Sequence, residues 1–177
     1  MTTGEVTISI GGVYASGEPM VVKTLLGSCV AVCLHDAVRG VGGMNHFMLP
    51  WGNGVGDDAG RFGVHAMDLL ISAIMKAGGD RRQLVAKVFG GANLLDVKGP
   101  VVDIPRQNVE FAQTFLEDEG IPIVGTDVGG RHARQVHFHT RPGRAFVKRV
   151  RHVRAQVRAE EQARAAAATY GGITLFE

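Results

Sequence analysis

Four extended patterns come before the first helical one. Apolar runs bounded by glycines occupy residues 6–10, 20–26, 30–35 and 41–49. Only over residues 62–77 does the spacing become helical, through Val64, Met67, Leu70, Ile71, Ile74 and Met75. A chain that makes several strands before its first helix does not suit a strictly alternating βα fold, so a layered α/β sandwich is expected. Residues 36–40 read as a turn, and Gly78-Gly79 as the left-handed stop of the helix. Further on, residues 84–89 read as a strand running into Gly90-Gly91. Residues 108–119 read as a second helix with Asn108 at its N-cap and Gly120 past its end. Residues 121–128 look extended, and residues 135–140 and 144–150 form a hairpin across Arg141-Pro142-Gly143.

The chain has 177 residues, enough for one domain with its own core. Residues 1–151 are assigned to that domain and 152–177 to a helical tail. The tail is rich in Ala, Arg, Glu and Gln and ends in apolar Ile173-Thr174-Leu175-Phe176, which is expected to dock on the body or on a partner. The net charge of +2 says little about partners. A basic run from Arg131 to Arg158 contains no acidic residue and reads first as a solvated face, with docking on an acidic protein surface as the alternative. Nucleic acid is not expected there, because Phe138 and Phe146 are the run's only aromatics. No apolar stretch approaches the roughly 18–20 residues that span a bilayer, and no signal segment is visible, so a cytoplasmic protein without membrane insertion is expected.

Cys29 follows a Gly27-Ser28 turn at the start of an extended segment, and His46 lies on the next such segment. A free thiol is only a few per cent ionised at neutral pH, so a neighbouring imidazole that takes its proton makes a plausible nucleophile and base. Either residue alone reads more simply as a packing residue. Cys33, inside Val-Ala-Val-Cys-Leu, has no such turn and is expected in the core. Two cysteines this close cannot frame a disulfide fold. His137 and His139 share one strand face with His132 nearby, but no Cys, Asp or Glu completes a metal set. The glycine-rich stretch over residues 50–60 reads as a loop. It lacks the Lys-Ser/Thr ending of a phosphate loop.

Residues 6–150 resemble the CheD family of chemoreceptor glutamine deamidases. The resemblance rests on Leu26-Gly27-Ser28-Cys29-Val30, His46-Phe47-Met48-Leu49-Pro50, Gly90-Gly91-Ala92, Gln107-Asn108-Val109-Glu110 and Gly129-Gly130-Arg131. It implies a three-layer α/β sandwich with a mixed, largely antiparallel sheet, similar to toxins that deamidate glutamine. It also implies a Cys-His-Thr site with Cys29 as nucleophile and His46 as general base and acid. The family commonly places its threonine six residues before the cysteine, where this chain has Lys23. Thr24, one residue nearer, is taken as the third member, orienting the imidazole. The implied reaction hydrolyses glutamine side chains on the cytoplasmic helices of chemoreceptors and needs no metal or organic cofactor. A CheC-type phosphatase is a further implied partner, and a non-catalytic module regulating such a phosphatase is the alternative.

Overall fold

The computed structural model describes residues 3–49, 57–94 and 103–151. The element order is β1 (Gly4–Thr7), β2 (Val13–Ser16), β3 (Met20–Leu26), β4 (Val30–Asp36), β5 (Val41–Asn45), α1 (Asp57–Lys76), β6 (Leu84–Gly90), α2 (Ile104–Asp118), β7 (Ile123–Val128), β8 (Ala133–His139) and β9 (Arg144–Val150). The fold is α/β, and its strands divide into two mixed sheets rather than one. Four strands run in the order β1-β3-β8-β9 and five in the order β2-β5-β4-β6-β7. Within them β1 pairs β3 and β6 pairs β7 in parallel, and the other pairings are antiparallel.

Strand β4 explains the layering. Every one of its residues is buried, because it lies between β5 and β6 with both faces covered. Its period of two sends Val30, Val32 and Leu34 towards Met67, Leu70 and Ile74 of α1 and Leu116 of α2. The alternate residues Ala31 and Cys33 meet Val22 and Leu26 of β3 and Val136 and Phe138 of β8. One strand therefore serves a helix-to-sheet core on one side and a sheet-to-sheet core on the other.

Several boundaries differ from the sequence reading, each for a local reason. Helix α1 begins at Asp57, so residues 57–60 belong to it and not to a loop. It ends as expected: the Gly78 N–H bonds Met75 O and the Gly79 N–H bonds Ile74 O, with Gly78 at φ 98°. Helix α2 starts at Ile104, not Asn108. Asp103 caps it by accepting the Arg106 N–H, and Pro105 fits the first turn. Strand β2 was not anticipated; its four half-buried residues form a short edge strand on β5. The hairpin lies where expected, with His139 opposite Arg144. The remainder of the loop expected over residues 50–60 and the tail over residues 152–177 lie outside the described residues. Among the described residues no helix is long and apolar enough to cross a membrane.

Candidate active site

The two segments carrying Cys29 and His46 are neighbours. Val30 and Phe47 exchange both main-chain bonds, at 3.0 and 2.9 Å, and among the described residues form the last backbone pair between the two segments. The side chains of Val30 and Phe47 pack in the helix-side core. Alternation therefore turns Cys29 and His46 to the opposite face, towards the other sheet, as diagonal neighbours across the pairing. The imidazole is held there from behind. Its main chain bonds the Gly11-Gly12 turn through His46 N to Gly12 O at 3.0 Å and Gly11 N to His46 O at 2.8 Å.

Thr24 reaches the imidazole from the four-stranded sheet. Strand β3 pairs with β8 in unbroken register from Val21 to Leu26, so Thr24 shares the inward face with Val22 and Leu26. Lys23 points away and pairs with Glu5 at 2.5 Å. The Thr24 hydroxyl donates to Ile8 O at 2.8 Å and lies 2.7 Å from His46 Nδ1. A hydroxyl has one proton, and Ile8 O takes it, so Nδ1–H must be the donor in the second bond. The tautomer follows: Nε2 carries the lone pair. Among the described residues Nε2 is buried without a hydrogen-bond partner. Leaving a buried acceptor unpaired costs about 1–3 kcal/mol, so a native structure that keeps one calls for an explanation such as a reactive base. Burial also lowers the imidazole pKa from 6.5 to about 4, which keeps it neutral at neutral pH.

The Gly27-Ser28 turn does not expose the thiol. Cys29 is 0 % exposed and His46 2 % exposed, because both sides of their segment are covered by the facing sheet and by the chain around it. Contact between solvent and the sulfur requires a local opening. Cys33 is buried as expected, and desolvation pushes its thiol pKa well above the usual range despite the nearby Lys87.

Four further residues shape the site, and the sequence reading gave none of them this part. Asn108, assigned there as a cap, is buried in the interior of α2. Its Nδ2 donates to Ser28 O at 2.9 Å and its Oδ1 accepts from Leu49 N at 2.9 Å. Gly90 passes so close to the Cys29 carbonyl that a Cβ would sit 2.2 Å from that oxygen, and Gly91 N bonds the same carbonyl at 2.8 Å. Arg134 leaves the basic run altogether. It is 3 % exposed and bonds Asp127 Oδ1 at 2.9 Å and Gly129 O at 2.8 Å. The doubled glycines were a signal for close backbone approach, but no local pattern marks an interior helix asparagine that bonds two distant chains. His137 and His139 lie on β8, and among the described residues no group of three or more His, Cys, Asp or Glu gathers as a metal site would require.

The sequence profile described as CheD chemotactic sensory transduction matches residues 48–149. A Ruegeria sp. protein named probable chemoreceptor glutamine deamidase CheD 1 is 47% identical over 167 residues, covering 94% of this chain and 86% of that protein. The chain belongs to the CheD family. A CheD protein of Agrobacterium fabrum, also named a probable chemoreceptor glutamine deamidase, is 50% identical over 131 residues, 73% of this chain and 71% of its own. One from Caulobacter sp. with the same name is 43% identical over 177 residues, covering 97% and 93%. The profile begins after Cys29 and His46, whereas the Ruegeria and Caulobacter CheD matches each take in more than nine-tenths of this chain.

Proposed function

We propose that this chain is a protein-glutamine deamidase of chemotaxis that converts selected glutamines on the cytoplasmic helices of chemoreceptors to glutamate. The observation that carries the reading is the buried Thr24–His46 bond, which leaves Nε2 bare on the same sheet face as Cys29, in a chain with close relatives named deamidases. We further propose the three-layer likeness to glutamine-deamidating toxins, supported by helices on one face of the five-stranded sheet and the second sheet on the other.

In the proposed mechanism His46 Nε2 takes the Cys29 proton as the sulfur attacks the glutamine side-chain carbon, giving a tetrahedral oxyanion. The imidazolium then protonates the amide nitrogen, ammonia leaves, and a thioester remains. Water, deprotonated by the same Nε2, adds to the thioester; its collapse releases glutamate and returns the thiol. Thr24 would stabilise the imidazolium throughout, because Nδ1–H donates into a hydroxyl already polarised by Ile8 O. The reaction consumes one water and releases ammonia, and no residue is asked to supply a redox or metal step. The burial of Cys29 implies that receptor binding opens the site, which would also protect the thiol between turnovers.

Incubation with purified receptor cytoplasmic fragments, followed by mass spectrometry for conversion of Gln to Glu, tests this directly. Wild type should convert specific glutamines, Cys29→Ala and His46→Ala should not, and Thr24→Val should be slowed. Equal conversion by all four proteins would remove the Cys-His reading. The sealed thiol also suits a binding module acting on a CheC-type phosphatase. That alternative gains if Cys29→Ala keeps phosphatase binding and no variant or wild type deamidates.

A further inference from the structure

We propose that Asn108 is a positioning residue for the Cys29 and His46 pair: its amide is a strut that fixes the main chain before the thiol against the main chain beyond the imidazole. The proposal rests on the reading of that pair as the reacting groups. Among the described residues the ladder between their two segments runs to Val30 and Phe47. Past that point, among the described residues, the Asn108 side chain bridges the two segments, donating to Ser28 O and accepting from Leu49 N. Ser28 immediately precedes Cys29, and Leu49 lies three residues after His46.

The two partners dictate the amide's orientation, since a carbonyl can only accept and an N–H can only donate. Both bonds need an amide: an aliphatic residue gives neither and a carboxylate gives one. Asn108 is 0 % exposed, and its neighbours on α2 include buried Ile104, Ala112 and Leu116, so the strut stands on a packed helix rather than a loop. Diagonal neighbours in a sheet are separated by about 7–8 Å between Cα atoms, and sliding or splaying one segment changes that spacing directly. The ladder holds one side of the pair and Asn108 holds the other. Misplacement by about 1 Å can cost about 10²-fold in rate.

Asn108→Asp separates positioning from bulk stability. Ionised, the new carboxylate keeps the acceptor for Leu49 N but turns an acceptor towards Ser28 O. Protonated, it restores the donor with nearly the same shape. Within residues 27–30 and 46–49 the titratable side chains are Cys29 and His46, and Asn108→Ala keeps both without adding a carboxyl group. On α2, Arg106 and Glu110 pair with each other at the exposed side.

The measurement is deamidation of a chemoreceptor cytoplasmic fragment as a function of pH, with Asn108→Ala and Cys29→Ser alongside. At about pH 8 the Asp variant should lose about 10- to 100-fold in kcat with KM nearly unchanged. Its kcat relative to wild type should recover as pH falls towards about 5.5, since burial raises a carboxyl pKa, while Asn108→Ala should not recover. Low pH supplies the folded reference if the ionised form is unstable. A ratio that stays flat with pH, a wild-type kcat, or a loss confined to KM would overturn the strut while inactive Cys29→Ser left the catalytic pair standing. An active Cys29→Ser would overturn the pair and the strut together.

Discussion

His46 concentrates the opposing demands on this site, since it must be buried, neutral and able to accept a proton. The folded imidazole, with its pKa near 4, binds fewer protons than the unfolded one at 6.5. Its contribution to stability is therefore complete above about pH 6.5 and is lost as pH falls to about 4, some 3 kcal/mol in all. Urea unfolding should show the loss between those limits in wild type and a flatter curve in His46→Gln. Matching curves would mean that the imidazole is not held neutral by the fold. Asp36 and Asp127, whose carboxyl pKa values are held low by main-chain N–H groups and by Arg134 against the desolvation that opposes them, contribute a separate loss at lower pH. At this scale the sequence supplied the residue types but not their state. It named Thr24, Cys29 and His46; it could not say that Ile8 O takes the hydroxyl proton, which decides the tautomer.

Strands and helices carried the more legible part of the chain. Residues 20–26 and 144–150 were read with the bounds of β3 and β9, because a half-buried strand writes its period of two directly into the sequence. The start of α2 was misread because Asn108 belongs to a residue type that caps helices, and capping chemistry is indistinguishable in sequence from a side chain that bonds main chain elsewhere. Glycines behave similarly. Gly78 and Gly90 both have positive φ, 98° and 109°, yet an added Cβ meets nothing within 4 Å at Gly78 and meets Cys29 O at Gly90. Gly78→Ala should cost about 1–2 kcal/mol of backbone strain and leave deamidation unchanged. Gly90→Ala should cost more and should also slow deamidation, because the Cys29 main chain must move to make room. Equal effects on activity would show that the close approach does not support the site.

At the scale of the molecule the two sheets are joined by charge as well as by apolar packing. Arg134 on β8 pairs with Asp127 on β7, and it bonds main-chain oxygens of Gly90 and Gly129 near the Cys29 turn. Truncating one member of a buried pair typically costs about 3–5 kcal/mol, less where the remaining partner reaches water. With Asp127 partly exposed, Arg134→Ala should lower stability by about 3 kcal/mol, whereas exposed Arg144→Ala should stay within about 0.5 kcal/mol. Chemical denaturation of both variants checks the contrast, and similar midpoints would reduce Arg134 to a surface charge. The basic run thus mixes a structural cation with solvated ones, which charge alone along the chain could not reveal.

Local order along the chain was sufficient to announce strands before helices, an α/β architecture, the glycine turn ahead of Cys29 and the family to which it belongs. Each depends on backbone geometry between near neighbours or on residues read in order. Tertiary structure alone decided that the strands split into two sheets, that Thr24 rather than Lys23 faces the imidazole, that the thiol is sealed, and that Asn108 ties Ser28 to Leu49. Those outcomes depend on which distant segments pack together, and the free energy that selects them comes from long-range burial and from pairing buried polar groups across sheets.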